Sequence, residues 1–311
     1  MTISAEPMAA ISNVPYAEGP WRRAWRQFLR QRSAILGMVM IGLLAFTAIF
    51  APLIAPYDPI DVLLNKEEGI KKRSEPCIHL FGCPAEQPQH IMGVDGNFRD
   101  LFSRIIYGAR LSLMIGFVTV TISLVIGTLL GAFAGYIGGW IDNLIMRVLD
   151  VVLAFPFLLL AIAIVSVLGP GLFNAMLGIA IVSVPAYARV IRASVLSARE
   201  EDYVLAARTI GVVPTKILFG HIMPNAISPL IVQATLGIGT AILEVAALSF
   251  LGLGAQPPTP EWGSMLSAER NQVFTAPHLV FLPGLVIMLT VLGFNLLGDG
   301  LRDALDPRLK R

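Results

Sequence analysis

Four residues within one apolar stretch have the types and the spacing to form a polar face inside a membrane. They fall at i, i+4, i+7 and i+11, on one side of a helix: Gln233, Gly237, Thr240 and Glu244. A carboxylate at membrane depth is costly unless it faces protein or water. Two interpretations stay open: the face lines a translocation path in which Glu244 binds a cationic group such as a peptide ammonium, or a hydroxyl or amide of a neighbouring helix partners Glu244.

Two cysteines and two histidines lie close together in a polar stretch, and they allow three states. Cys77 and Cys83 can form a disulfide, bind a metal together with His79 and His90, or stay free thiols. On the oxidising side of a membrane, a disulfide that closes a short loop is the expected state, although pairing cannot be deduced from sequence alone. No metal site is therefore assigned.

Signatures of catalysis and of nucleic-acid binding are missing from the sequence. It contains no G-x-x-x-x-G-K-[ST] phosphate loop, no H-E-x-x-H and no G-x-S-x-G. Its 23 Lys and Arg nearly balance 21 Asp and Glu, and no basic block is present to hold phosphates. The chain is therefore expected to be a non-catalytic subunit that does not hydrolyse nucleotide by itself and does not bind nucleic acid.

The composition indicates a membrane protein. Hydrophobic residues make up 55% of the chain and charged residues 14%, against about 25% charged residues in soluble domains. A membrane-spanning helix needs about 20 mostly apolar residues. Six stretches qualify: Ala34 to Ala55, Leu111 to Tyr136, Val151 to Leu168, Leu172 to Ala188 with Pro185 inside it, Ile227 to Leu248 and Leu279 to Leu297. The predicted fold class is an all-α integral membrane protein with six transmembrane helices.

Basic residues set the expected orientation, because Lys and Arg accumulate on the cytoplasmic side. If both termini are cytoplasmic, most of the basic residues that do not belong to the long 56–110 loop lie on the cytoplasmic side. The basic residues of a long loop have little influence on orientation. Arg104 and Arg110, on the outer side near the second span, run against this assignment. The predicted organisation is a cytoplasmic tail (1–33), a first span (34–55), an extracytoplasmic loop (56–110) and a core domain (111–311) that ends in a cytoplasmic tail (298–311).

The segment before the first span has the pattern of a helix in the headgroup layer. Aromatic residues recur at i, i+4 and i+7, and arginines fill the positions between them: Trp21, Trp25 and Phe28 with Arg22, Arg23, Arg26 and Arg30. Trp and Arg are the residue types that this layer favours. The alternative is a disordered basic tail.

Two patterns near the second and third spans predict packing rather than ligand binding. Glycines repeat every four residues, which lets a second helix approach closely: Gly127, Gly131, Gly135 and Gly139. Arg147 and Asp150 stand one helical turn apart, which favours a local ion pair.

The polar connection from Arg189 to Ala226 reads as two short helices around a turn. Gly211 is a natural C-terminal breaker for the first helix, and Pro214 suits the start of the second. Helix connections in compact domains are usually about 2–8 residues long, so a connection of this length needs another explanation. Such a projecting helical pair is suited to docking in a groove of another protein.

This connection carries a resemblance. Ala206-Ala-Arg-Thr-Ile-Gly211, followed by His221-Ile-Met-Pro-Asn225, resembles the EAA loop of ABC importer permeases. The stretches 248–263, 294–307 and 107–113 resemble the C-type permease subunit of the dipeptide, oligopeptide and glutathione importer subfamily. The similarity covers most of the chain from about Ile91 onward.

The resemblance implies a type I ABC importer fold in a bacterial inner membrane. Within an EAA loop of about 197–226, the coupling residues that it implies are Ala206, Ala207, Arg208, Gly211, His221, Pro224 and Asn225. The implied partners are a second, B-type permease subunit, one or two ATPase subunits that hold ATP and Mg, and an extracytoplasmic binding protein, within the lipid bilayer. No cofactor is expected on this chain. Short peptides are the expected cargo, with glutathione or another small solute, and more distantly ion-coupled transport, as alternatives.

Two stretches depart from the family pattern. Leu205 stands where the loop usually has a glutamate, which leaves Glu201 or Asp202 as stand-ins. Upstream, the family's G-T-D-x-x-G-R-D has Val94 in place of Thr and Phe98 in place of the second Gly.

Overall fold

The computed structural model describes residues 25–84 and 87–305, and the regular elements of these residues are helical. We number the ten principal helices α1 (Arg32–Ile49), α2 (Leu101–Ile137), α3 (Gly139–Leu153), α4 (Phe157–Leu168), α5 (Leu172–Arg199), α6 (Asp202–Thr209), α7 (Pro214–Ile217), α8 (Met223–Phe250), α9 (Trp262–Glu269) and α10 (His278–Leu305). A π-helical turn, Leu218–Ile222, joins α7 to α8. Shorter helical turns lie at Ala51–Ile54, Leu63–Asn65, His79–Phe81 and Arg270–Gln272.

In the part of the chain that the structure describes, five helical stretches are long and apolar enough to cross a membrane, and the pair α3–α4 makes a sixth if it counts as one span. The five are α1, α2, α5, α10 and the continuous run Pro214–Phe250. This agrees with the predicted all-α membrane fold. Several spans are longer than predicted: α2 begins at Leu101 because the Asp100 side chain caps it, accepting from Ser103 N at 2.7 Å. The last helix continues to Leu305, so the predicted tail is helical over 298–305.

The predicted third span, Val151 to Leu168, is wrong as a continuous helix. The chain bends by 91° between α3 and α4. Pro156 has no N–H, and it pushes Phe155 away from helical geometry. The 12 residues of α4 reach only about 18 Å, less than the roughly 30 Å hydrocarbon core. Helix α3 therefore makes an elbow with α4.

Glycines bring α2 against α5, the central helix pair. A Cβ on Gly127 would lie 2.8 Å from the Val184 carbonyl oxygen, and one on Gly135 would lie 3.0 Å from that of Arg192. Gly131 is tighter still, because its Cβ would overlap the Ala188 carbonyl. The predicted packing role is confirmed for these three glycines. Gly139 has open space around it and begins α3 with φ +61°.

The predicted ion pair between Arg147 and Asp150 is wrong. Asp150 instead accepts from Arg189 Nη2 of α5 at 2.6 Å, and both side chains are exposed. One turn of separation permits a local pair, but the approach of α5 gave Asp150 a partner on another helix.

Only part of the predicted headgroup-layer helix lies within the described residues, since Trp21, Arg22 and Arg23 lie outside them. Residues 25–28 form a helical turn. Phe28 is buried and packs with Ala34 and Ala304, whereas Trp25 is 58% exposed. This turn is thus attached to the ends of α1 and α10.

Candidate coupling surface and translocation path

The connection between α5 and α8 folds as the predicted two helices around a turn. Helix α6 ends where Gly211 N bonds to the Arg208 carbonyl and Val212 N to the Ala207 carbonyl, at 3.0 and 3.1 Å. Gly211 has φ +78°, the left-handed conformation that glycine adopts without a steric penalty. Pro214 then takes the first turn of α7.

Apolar side chains fix the base of this loop to the spans. Val204 and Ala207 are buried in one cluster with Ile217 and Ile222, and this cluster continues to Val195 of α5. Ala207, one of the predicted coupling residues, therefore lies in the base of the loop and not on its outer surface. Since base and spans share one core, a push on the loop moves the ends of α5 and α8 with it.

The outer surface of the loop is apolar as well. Four large apolar or aromatic side chains are exposed on it: Tyr203, Leu205, Ile210 and Val213, of which Ile210 is 79% exposed. We call these four residues the apolar rim. Phe219, which is also partly exposed, packs edge-on against Phe133 of α2 instead. The motif includes Ile210, and the departure at Leu205 is visible in the sequence, but neither residue was predicted as a coupling residue. Tyr203 and Val213 lie outside the motif.

The other predicted coupling residues surround the apolar rim. Ala206, Arg208, Pro224 and Asn225 are exposed, and His221 is half-buried. Asn225 Nδ2 donates to the His221 carbonyl at 2.9 Å and to the Tyr203 hydroxyl at 3.3 Å, which ties α6 to the start of α8. Leu205 is exposed on the rim, so the usual glutamate position presents an apolar side chain to a partner.

Charged pairs hold the loop-proximal end of α5. Arg192 donates from Nε and Nη2 to the two carboxylate oxygens of Asp142 on α3, each at 2.6 Å. Asp142 is buried. Arg199 donates to the carbonyls of Gly135 and Tyr136 at the end of α2. The helix that enters the loop is thereby fastened to both of its neighbours.

The predicted polar face of α8 is present but is not uniformly open. Gln233, Gly237 and Glu244 are half-buried and Thr240 is exposed. The Tyr187 hydroxyl of α5 covers Gly237, and Thr240 donates to the Leu236 carbonyl within its own helix at 3.1 Å. Within residues 25–84 and 87–305, Glu244 has no hydrogen bond and no ion pair. The neighbouring helices that the structure describes therefore supply no hydroxyl or amide partner for this carboxylate.

Packing around the start of α9 accounts for three residues of the 248–263 motif, Glu261, Trp262 and Gly263. Glu261 caps α9, accepting from Gly263 N at 2.9 Å and Ser264 N at 2.7 Å. Trp262 is fully buried and donates to the Ile105 carbonyl of α2 at 3.1 Å. A Cβ on Gly263 would overlap the Ala246 backbone of α8. Glu-Trp-Gly thus locks α9 between two spans.

The loop between α1 and α2 contains the disulfide Cys77–Cys83. His79 Nε2 lies 2.8 Å from the Gln87 carbonyl oxygen, and Cys77 N donates to the His90 carbonyl at 2.8 Å. In the described part of the chain, no group of three or more His, Cys, Asp or Glu side chains is arranged to hold a metal ion. The loop is fastened to the end of α9 by Arg73, which donates to Glu269 at 2.8 Å.

His90 forms a buried charge cluster in the same loop. Its Nδ1 lies 2.9 Å from Asp100 Oδ1, and its Nε2 lies 3.1 Å from Glu67 Oε2. Burial alone lowers the pKa of His90, but the two carboxylates outweigh it, so the pKa is raised above 6.5. Burial and the hydrogen bond to Glu67 raise the pKa of Tyr57, which keeps its hydroxyl a donor at 2.7 Å.

This cluster predicts that the loop loosens as pH rises. A raised folded-state pKa contributes stability that is fully present below about pH 6.5 and is lost as the pH passes the raised value. Amide hydrogen exchange of residues 62–67 and 87–100 should therefore be slower at pH 6 than at pH 8.5, after correction for intrinsic exchange. His90→Gln should remove this difference and His79→Gln should keep it. An unchanged pH dependence in His90→Gln would contradict the assignment.

Fold and site define a class: a multi-span membrane protein with a projecting helical loop. The family model described as the binding-protein-dependent transport system inner membrane component matches residues 127–311. That described as the N-terminal TM domain of oligopeptide transport permease C matches residues 19–68. The chain belongs to the family of binding-protein-dependent transport system inner membrane components, as the resemblance predicted.

Several curated relatives are similar over nearly their whole length. The chain is 52% identical to the dipeptide transport system permease protein DppC of Alkalihalophilus pseudofirmus, over 94% of this chain and 92% of the relative. It is 47% identical to the di/tripeptide permease DppC of Pseudomonas aeruginosa, over 97% and 99%. It is 48% identical to the glutathione permease GsiD of Escherichia coli, over 94% and 91%.

Among solved structures, inward-facing forms of the MetNI methionine ABC transporter match in fold. One has a TM-score of 0.53 at 19% identity and covers 65% of this chain and 96% of that chain. The fold is therefore that of a type I ABC importer permease.

Proposed function

We propose that this chain is the C-type permease subunit of an ATP-driven importer for short peptides. The observation that carries the proposal is the helical loop between α5 and α8, whose apolar rim faces outward while its base is fixed to the spans. An apolar rim around Ile210 fits a groove of a partner ATPase. ATP and Mg act on that partner, and this chain passes the movement on.

In this proposal the loop and both termini lie in the cytoplasm. The long loop that contains the Cys77–Cys83 disulfide then lies outside, where the environment is oxidising and a binding protein delivers cargo. The polar face of α8 forms half of the path, and a second, B-type permease forms the other half. Closure of the ATPase pair pushes the loop as a near-rigid body and rocks the spans between inward-open and outward-open states.

Short peptides are the proposed cargo because relatives named for dipeptide and di/tripeptide transport match at 52% and 47% identity. The 48% identical relative named for glutathione transport makes glutathione the alternative. In proteoliposomes that contain the full importer, a labelled dipeptide should enter in an ATP-dependent manner. Excess unlabelled dipeptide should compete better than excess glutathione. The reverse order of competition would replace the peptide assignment with glutathione.

The coupling role predicts a large effect of Ile210→Asp. Ile210 is 79% exposed, so a charge there leaves the fold of this chain intact and opposes docking into an apolar groove. Purification of the tagged chain in mild detergent should recover the second permease but at most about a tenth of the wild-type ATPase, since removal of a central apolar anchor commonly costs about 2 kcal/mol or more.

The matched control is Leu80→Asp. Leu80 is 88% exposed in the loop between α1 and α2, on the opposite side of the membrane in this proposal. It should leave ATPase recovery unchanged. Equal ATPase recovery with wild type and Ile210→Asp would contradict docking through the apolar rim.

A further inference from the structure

Glu244 lies at membrane depth, in the half of α8 remote from the coupling loop. About six residues separate it from Phe250, the end of α8, which corresponds to about 9 Å of helix. Its neighbours Val245 and Leu248 are buried in an apolar cluster that also contains Ile115 of α2 and Ile179 of α5. Glu244 thus stands beside an apolar cluster, within the outer half of the proposed path.

The carboxylate of Glu244 has no partner in the part of the chain that the structure describes. The salt bridges formed by these residues do not include it, and no side chain or backbone group donates a hydrogen bond to it. The Tyr187 hydroxyl covers Gly237 and forms no hydrogen bond with Glu244. An acid within an apolar span is costly unless it faces water or a cation, and no positively charged side chain of the described residues pairs with Glu244.

The position of Glu244 on its helix shows where a cation would meet it. It is half-buried and shares the face of α8 that contains exposed Thr240 and half-buried Gln233. The opposite face of α8, with Ile238, Ile242 and Val245, is buried in the bundle. The carboxylate therefore borders the open side of α8 and is not enclosed in the core of the subunit.

We infer that Glu244 binds the cationic end of the cargo, the α-ammonium group of a short peptide, during its passage. This inference rests on the proposed function, because it takes the open face of α8 as the path. A primary ammonium supplies three donors and a full positive charge, which matches a lone carboxylate. Removing the charge should weaken passage of zwitterionic peptides while leaving assembly and nucleotide hydrolysis unchanged.

The first test is dipeptide uptake by the complete importer, with both permeases, the ATPases and the binding protein, in proteoliposomes. Glu244→Gln should lower uptake about tenfold or more at unchanged basal ATPase activity, since a hydrogen bond to a charged group contributes roughly 1.5–3 kcal/mol. Glu244→Asp should retain most of the uptake. Wild-type uptake by Glu244→Gln would overturn the inference.

The second test restores the charge chemically. Cys77 and Cys83 are the chain's two cysteines and are joined, so Glu244→Cys introduces its single free thiol. Modification with the anionic reagent ethylsulfonate methanethiosulfonate should recover uptake, and the cationic trimethylammonium-ethyl reagent should not. Thr240→Cys, one turn away, is the matched control and should respond equally to both reagents. The second permease, the ATPases and the binding protein used in this assay are variants without free cysteines.

Each contrary outcome has a separate meaning. Equal responses of Glu244→Cys to the two reagents, or an introduced thiol that neither reagent modifies, would overturn the inference. Loss of the second permease from purified Glu244→Gln would also overturn it, because the counter-charge then belongs to that subunit. Failure of the wild-type importer to take up any dipeptide would instead count against the proposed function.

Discussion

Gly131→Ala should strongly reduce the yield of folded protein. The added Cβ would lie 2.5 Å from Ile191 Cγ2 and closer still to the Ala188 carbonyl oxygen, so α2 and α5 have to move apart. Overpacking of a well-packed core typically costs about 1–3 kcal/mol, and contact with backbone leaves no side chain free to rotate away. We expect a thermal unfolding midpoint lower by several degrees in mild detergent and a smaller monodisperse peak on size exclusion.

Gly42→Ala provides the matched control, because it makes the same substitution in another spanning helix. Gly42 is exposed on α1, and a Cβ there meets nothing within 4 Å. Its unfolding midpoint should equal or exceed that of wild type, since Ala favours helix over Gly by up to about 1 kcal/mol. Equal midpoints for Gly131→Ala and Gly42→Ala would show that α2 and α5 do not pack as closely as the structure has them.

Features that depend on one helix were predictable from the sequence. Apolar length located the spans, the four-residue glycine repeat marked the face of α2 on which another helix packs, and Gly211 marked the turn of the loop between α5 and α8. Each of these follows from local geometry or from the periodicity of a single helix.

Features that depend on how helices meet were not predictable in the same way. Pro185, Pro229 and Pro283 lie inside continuous helices, whereas Pro156 coincides with a 91° bend. A proline weakens a helix at any of these positions, and the packing of its neighbours decides whether the helix bends. Asp150 likewise pairs with Arg189 on α5 instead of with Arg147, one turn away on its own helix.

The candidate site shows the same division. The motif located the coupling loop, but packing decided which residues face outward, and it turned Ala207 into the base while it exposed Ile210. On α8 the spacing correctly put four residues on one face, yet Tyr187 covers one of them, Gly237. The spacing of residues along one helix does not show which residues a neighbouring helix will cover.

The bidentate pair Asp142–Arg192 predicts the second large effect, on coupling between ATP hydrolysis and transport. It fastens α3 to the end of α5 that enters the coupling loop. Through the 91° elbow, α3 continues into α4, which packs against the remote half of α5 at Gly178. The pair thus gives the loop-proximal end of α5 a second connection, through α3 and α4, to the remote half of the same helix.

Arg192→Gln should therefore raise the number of ATP molecules hydrolysed per peptide transported several-fold in the reconstituted importer. The burial of this pair is intermediate between that of a surface ion pair, worth about 0–1 kcal/mol, and that of a buried ion pair, whose breakage costs roughly 3–5 kcal/mol. We therefore expect the loss of stability to be small enough for the complex to assemble. The exchange Asp142→Arg with Arg192→Asp restores the attraction and should bring the ratio back towards wild type. Arg189→Gln, which breaks the exposed pair with Asp150 on the same two helices, should leave the ratio unchanged.

The exchange variant separates transmission from stability. If Arg192 only stabilised the fold, Arg192→Gln would lower the amount of active importer without altering the ATP-to-peptide ratio of the remainder. A normal ratio in Arg192→Gln, or equal ratios in Arg192→Gln and Arg189→Gln, would exclude α3 from coupling. If Arg192→Gln raises the ATP-to-peptide ratio and the charge exchange lowers it again, the elbow of α3 and α4 takes part in coupling the loop to the path. The wild type and the exchange variant share the attraction between α3 and α5, and Arg192→Gln lacks it.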